Sequence, residues 1–435
     1  MILPEYDGRC GWYELLGSTS NFDELESDAT FDTVVIGGGF VGTAAARRLA
    51  ENRPDDKVLL VDALKIGQGA SGRNSGFVID QPHKHDLERA DEVFKRKSVQ
   101  LNRAAIEYLE KQIAEFSIDC QWSKAGKYQG AVGARGEKYL NHYESLLRNF
   151  GERYERLSKA ESQKVFGTDY YSAAIFTPGS TLVQPAALMR GLVDSLPANV
   201  RVVENSPVLE ICRQKKGFTL KTRKAVITCD QLIVATSVFT PELGFMKDRI
   251  LPVMTFASMT HPLTDAEMQL YGGKLDWGLT PADHAGTTMR MTQDRRLIIR
   301  NSYRYAPEYN TPAAIIPSIQ ARHREGLDQR YPTLKHVGID YTWGGATSLS
   351  GNFETYFGQL EENIYSSGCD QSVGAARGTI SGMMLADLAS GKQSELLTKM
   401  QEVSGKPSRL PPKPLLRIGV PLRLAIARIA SRKEV

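Results

Sequence analysis

Short apolar runs separated by amphipathic stretches set the pattern of the first third of the chain. Residues 34–36 and 58–61 are apolar without alternation, as in strands covered on both faces. Between them, 41–50 has the periodicity of a helix, so the segment predicts a strand–helix–strand unit with parallel neighbours. Residues 86–116 place Leu87, Val93, Leu101, Ile106 and Leu109 on one helical stripe. Residues 128–134 and 170–177 read as strands, 136–166 as charged helix and 187–196 as an apolar helix. Residues 200–211 read as strand–turn–strand and 218–222 with 225–228 as a hairpin. Residues 230–237 form a buried strand, ending in small residues, that returns to the first sheet. A second β region begins at 252–261, and 287–291 with 296–303 form a hairpin around Gln293, Asp294 and Arg295. Residues 363–366 give a last strand, whose turn at 368–374 enters a helix of small residues reaching 388. The predicted class is α/β: a Rossmann-like domain with a parallel sheet, plus a mixed-sheet α+β domain.

Composition adds little to that picture, and charge adds one feature. The 435 residues are 41% hydrophobic and 24% charged, with a net charge of +4. Residues 411–435 hold six cations (Lys413, Arg417, Arg423, Arg428, Arg432 and Lys433) against Glu434, leaving the remainder close to neutral. A nucleic-acid role has no support in such a body. The five cysteines are scattered and none has C-x-x-C spacing, so neither a metal site nor a disulfide framework is predicted. No run of 18 apolar residues is present, and a cytoplasmic, reduced protein is the expectation. Residues 1–30 read as an irregular arm whose Trp12, Tyr13 and Phe22 pack on the body or on a partner subunit.

The chemistry starts at Gly37, Gly39 and Gly42, which have G-x-G-x-x-G spacing between the first strand and its helix. Gly37 makes the turn, Gly39 admits a pyrophosphate to the backbone, and Gly42 lets helix and strand close up. The helix start at Phe40 and Val41 aims its amides at that phosphate. Asp62 ends the second strand twenty residues after Gly42, where an acid accepts from a ribose hydroxyl; it disfavours NADP and leaves FAD and NAD. The loop 67–76, which includes Ala70, Ser71, Arg73, Asn74, Ser75 and Gly76, offers amides, hydroxyls and one cation to a phosphate or a flat heterocycle. Thr236 closes the returning strand. The amide-rich turn at Gly368 suits an electron-rich carbonyl.

These residues occur in the order found in FAD-dependent amine and amino-acid oxidases, and the chain resembles the D-amino-acid oxidase superfamily along nearly its whole length. The nearest likeness is to γ-glutamylputrescine-oxidase-like members, with 69–74 the most specific string. The resemblance implies non-covalent FAD and a discontinuous FAD domain of residues 1–90, 180–255 and 340–435. It implies a substrate domain of 91–180 and 256–340. Gly37, Gly39 and Gly42 would hold pyrophosphate, Asp62 ribose and the backbone of Val208 adenine. Ala70, Ser71, Arg73, Asn74 and Ser75, with Gly345, Ser372, Val373 and Gly374, would face the flavin. Departures are an extra residue after Gly368 and no Gly-His-Gly there. An Asp near Phe353, an anchoring Cys near Trp343 and a Lys near Ile298 are also absent.

The implied reaction is oxidation of a C–N bond to an imine by hydride transfer to flavin N5, then hydrolysis, with O2 as the favoured acceptor. No side-chain acid or base is assigned. The alternatives are a dehydrogenase using another acceptor, or a FAD-holding subunit of a larger complex. Arg290 and Arg300 are the expected carboxylate clamp, with Arg300 and Arg304 on one strand face by the period of two. Trp343 and His261 are further substrate-side candidates, as are His83 and His85. The oligomeric state is left open. Residues 411–435 are expected to form a basic amphipathic helix, docked on the protein or a partner in preference to a membrane surface.

Overall fold

The computed structural model describes all residues except 7–8, 82–90, 284, 372, 433 and 435. The βαβ unit forms as the apolar pattern dictates: strand Ala29–Ile36, helix Phe40–Asn52, strand Val58–Val61. Both strands are buried at their central residues because layers cover each face. Val226–Val234 and Val58–Val61 flank the first strand in parallel, and Val200–Val203 extends the sheet beyond Val58–Val61. On the other side Ile364–Gly368 pairs in parallel with Val226–Val234, and Tyr356–Glu361 closes that edge antiparallel. Glu210–Arg213 and Phe218–Lys221 hang from Val226–Val234 as an antiparallel ribbon. The expected hairpin strand 225–228 and buried strand 230–237 are thus one continuous strand.

Helices Phe40–Asn52, Glu92–Phe116, Pro185–Asp194 and Gly374–Ala389 contribute to the apolar layer on one face of this sheet. Helix Gly374–Ala389 lies against Phe40–Asn52 at a distance only glycine permits, since a Cβ on Gly382 would sit 2.1 Å from the Val41 carbonyl oxygen. That contact brings two helix N-termini, at Phe40 and Gly374, to the same end of the sheet. Residues 92–116 share this core through Leu101, Ala105, Ile106 and Leu109. They therefore pack with the dinucleotide unit, and the expected boundary at 90 is corrected.

The second sheet runs Ile339–Leu349, Leu251–Thr260, Leu297–Tyr305, Thr288–Met291, Trp277–Pro281, Lys127–Ala131, Ala173–Thr177, Glu155–Ser158. Its pairs are antiparallel except Trp277–Pro281 with Lys127–Ala131. Leu251–Thr260 and Ile339–Leu349 pair over their full lengths inside this sheet, so the expected boundaries at 255 and 340 fall within strands. The expected helix 136–166 is interrupted: helix Gly133–Asn149 is followed by Gly151 at φ 68°, then strand Glu155–Ser158 and helix Lys159–Phe166. That edge strand buries only Leu157, so it carries no apolar alternation to read. Helix Lys413–Ala430 lies along Leu297–Tyr305 of the second sheet, away from the dinucleotide layer.

Candidate dinucleotide site and adjoining cavity

Two cavities meet at a waist formed by Gly39, Ala70, Ser71, Ala235 and Ser237, which line both. The first reaches past Gly37, Asp62, Val208 and Thr236 towards the N-terminal arm. The second passes Phe40, Val41, Arg73, Asn74, Ser75, Gly345, Val373 and Gly374 and opens against the second sheet.

The waist is built by backbone geometry. Gly37 stands at φ 102°, and a Cβ there would lie 2.6 Å from the Ala235 carbonyl oxygen. A Cβ on Gly42 would lie 1.8 Å from the Gly37 oxygen. Gly39 has φ −80° and ψ −171° and starts its helix with no side-chain cap of its own, while Phe40 N donates to Ser71 Oγ across the waist at 3.1 Å. The same turn recurs thirty residues on. Gly67 is at φ 93°, Gly69 has φ −78° and ψ −172°, and a Cβ on Gly72 would lie 1.9 Å from the Gly67 oxygen. Both turns bring helix starts to one waist, where amides and dipoles favour an anion. The second copy was legible in the sequence, because Gly67, Gly69 and Gly72 repeat the G-x-G-x-x-G spacing of the first. Facing glycine turns of this kind fit a dinucleotide pyrophosphate: side chains at Gly37, Gly42 or Gly72 would force the turns apart, and a Cβ on Gly39 would lie 2.8 Å from Ser71 Oγ in the waist itself.

Asp62 lines the first cavity and accepts from Gly38 N at 2.7 Å and Leu64 N at 2.8 Å. Desolvation raises its pKa, and those two amides oppose the rise. Beneath the second turn, buried Arg190 and Glu204 pair; Glu204 accepts from Ile66 N at 2.7 Å and Arg190 donates to Ile66 O at 3.2 Å. The loop 67–76 is tied down by large side chains. Trp343 donates to Arg73 O at 2.9 Å and Trp12 to Asn74 O at 2.8 Å. Arg73 donates to Gln68 O at 2.7 Å and Gly344 O at 3.0 Å, with Tyr6 against its guanidinium. Asn74 links Ser71 O and Gly76 N. Trp343 is fully buried and supports this loop, so its expected place beside substrate is corrected.

Arg290 is also placed elsewhere than expected. Thr288 lines the second cavity, but two residues further along the strand the loop at Gly76 and Val183 covers Arg290. Its Nη1 donates to Val183 O at 2.5 Å and Gly76 O at 3.2 Å, and Trp12 stacks at 5.1 Å. Burial lowers its pKa to about 10, and its Nε and Nη2 meet no acceptor among the described residues. His261 lies outside the cavities with its Nε2 at 3.3 Å from Glu267, as a structural histidine does. Gly368 packs on Tyr356 behind the cavity wall. Ser372, His83 and His85 lie outside the described residues.

Arg300 does line the second cavity and donates to the Tyr303 hydroxyl at 2.6 Å. Its partner by period two does not. A β-bulge between Phe256 and Ala257 shifts the register opposite Asn301, so Tyr303 faces the cavity and Arg304 is exposed. Lys127 is the residue the sequence reading passed over. It is 6% exposed, lines the cavity, and has only Thr280 Oγ1 at 3.5 Å as a hydrogen-bond partner among the described residues. Burial lowers its pKa to about 8. Neither Lys127 nor Arg300 has an ion pair among the described residues; the acids that share this cavity wall, Asp283 and Asp370, form none with either cation there.

The profile of the DAO family, described as FAD dependent oxidoreductase, matches residues 32–388. The chain is 25% identical over 400 residues to a probable oxidoreductase OrdL of Haemophilus influenzae, covering 89% of each chain. It is 26% identical over 390 residues to the gamma-glutamylputrescine oxidoreductase of Escherichia coli, covering 85% of this chain and 86% of that one. The fold matches glycine oxidase from Geobacillus kaustophilus with a TM-score of 0.70 at 18% identity, over 84% of this chain and 96% of the other.

Proposed function

The chain belongs to the DAO family of FAD-dependent oxidoreductases, and from that premise we propose that it oxidises the C–N bond of an amine or amino acid bearing a carboxylate. The glycine turns at 37–42 and 67–72 would hold the FAD pyrophosphate, Asp62 the ribose and Val208 the adenine side. The second cavity would take the flavin ring between the 73–75 loop and the start of helix Gly374–Ala389. FAD, when bound, supplies the hydride acceptor for the chemistry. The chain's own part is to bind and orient. Lys127 and Arg300 would grip the carboxylate, fixing the neighbouring C–H bond, while the strand wall at Thr280–Ala282 limits water. Loss of hydride and the amine proton converts the C–N bond to an imine, which water cleaves to a carbonyl compound and an amine. Oxygen is the favoured final acceptor.

The single observation that carries the carboxylate reading is the buried, ion-pair-free Lys127 in the cavity wall. A charge so placed costs stability unless an anion joins it. The names of two similar proteins, a glycine oxidase and a gamma-glutamylputrescine oxidoreductase, fit such a substrate. The test is anaerobic bleaching of the yellow holoprotein by a panel of carboxylated amines and their decarboxylated counterparts. Carboxylated members are expected to reduce the flavin faster; equal reduction by the decarboxylated counterparts would exclude the carboxylate clamp.

A further inference from the structure

Helix Lys413–Ala430 has two apolar faces, and the protein uses only one. None of its residues is buried. Leu416, Val420, Leu424 and Ala427 are half-covered, at spacings of four, four and three, and form the face towards strand Leu297–Tyr305. Leu415, Ile418, Leu422, Ile426 and Ile429 form a second stripe and are 62%, 71%, 58%, 58% and 68% exposed. At the helical period these five fall within an arc of about 80°. At the same period Arg423 lies beside the arc on one side; on the other, Arg417 and Arg428 lie nearer the covered face, and Arg432 follows the end of the helix.

The charge around the stripe selects what covers it. From Val403 to Arg432 the chain holds Lys406, Arg409, Lys413, Arg417, Arg423, Arg428 and Arg432 and no acid. Among the described residues only Arg417 of the helix makes an ion pair, with Glu308 at 3.0 Å. A second copy packed stripe to stripe would face these cations with the same cations. No helix among the described residues is long and apolar enough to cross a membrane. A basic rim around an exposed apolar stripe fits an anionic interface, with the side chains of the stripe below the headgroups and the guanidiniums among them.

We propose that the outer face of helix Lys413–Ala430 docks the protein on an anionic lipid bilayer surface. The helix is tied to the body at its C-terminal end. Beyond its C-terminus Ser431 donates to Asp283 Oδ1 at 2.6 Å, and Glu434 Oε2 accepts from Asp283 N at 2.9 Å. Asp283 and Arg300 both line the second cavity, so the docked face lies behind the cavity wall.

The experiment is co-sedimentation of the FAD-loaded full chain with phosphatidylcholine vesicles, with and without phosphatidylglycerol, across a salt series. The parent is expected to partition to the anionic vesicles at least about tenfold better than to the neutral ones, and less as salt rises. Ile418→Asp with Ile426→Asp, both in exposed positions, should abolish partitioning while leaving the flavin spectrum intact. Arg423→Gln with Arg428→Gln should flatten the salt dependence, which keeps the test decisive if the first variant misfolds. Equal binding to neutral vesicles, or no binding to either, would overturn the proposal. So would a parent dimer that the Asp variant converts to monomer.

Discussion

A lysine held in a cavity wall with its charge unmatched is the residue on which substrate recognition turns. Burial has already lowered the pKa of Lys127 to about 8, so its charge is present below that pH and lost above it. The Michaelis constant for a carboxylated amine should therefore rise as pH increases through about 8. Lys127→Met should remove that inflection and raise the constant roughly ten- to a hundredfold, the worth of one charge-assisted bond. Lys127→Arg should move the inflection out of the accessible range. Steady-state kinetics across pH with each variant decide it; a parent profile shared by Lys127→Met would remove Lys127 from recognition. Legibility differs sharply among such residues. Gly37, Gly39 and Gly42 could be read because their spacing is itself the backbone requirement. Arg290 and Arg300 could be read as strand residues, but period two cannot tell that a loop roofs one and leaves the other open. Lys127, among the glycines and glutamine of its short strand, offers no periodic signal at all.

At the scale of elements, the two glycine turns have equal backbone geometry and unequal support. The first is braced by strand and helix packing and by Asp62, which accepts from Gly38 N at 2.7 Å. The second rests on Arg190 and Glu204, buried together and both bonded to Ile66 just before Gly67. Breaking such a pair leaves an uncompensated buried charge and costs about 3–5 kcal/mol. Arg190→Met should therefore lower the unfolding free energy by an amount of that order and weaken FAD retention, because Gly67 loses its footing. Replacing both partners, with Glu204→Leu added, should recover most of the stability and leave FAD weak. Denaturant titration of the two variants, with flavin fluorescence as a second readout, separates these effects; a single variant as stable as the parent would show the pair idle. Elements with strong apolar patterns, such as Val58–Val61 and Phe40–Asn52, were legible to within a residue or two. The strand Glu155–Ser158 was not, since an edge strand with one buried side chain is defined by its neighbour rather than by its own sequence.

Over the whole molecule the order of segments was legible and the division between layers was not. Helix Glu92–Phe116 and strands Leu251–Thr260 and Ile339–Leu349 join sheets by tertiary packing, which a linear pattern does not report. The two cavities join at one waist, the first lined by loops of the dinucleotide unit and the second also by strands of the second sheet. No cysteine or histidine is among the described residues that line them. Cys10 and Cys369, each buried, direct their thiols at the Gly72 and Leu349 carbonyl oxygens. Burial raises the pKa of both thiols, the reverse of what a nucleophilic anchor needs. FAD should consequently be held without a covalent bond, and acid precipitation should leave the yellow colour in the supernatant. With FAD filling both cavities as proposed, it would bind only the folded state and bridge the two sheets, so the apoprotein so prepared should unfold at a lower temperature. Its midpoint should climb with added FAD, by the equivalent of about 2.7 kcal/mol at a hundredfold excess over Kd. A yellow pellet would contradict the first expectation, and a midpoint indifferent to FAD would contradict the second. A midpoint that climbs for only one of two separate unfolding transitions would mean that the cofactor stabilises one sheet alone, and that the waist does not couple them.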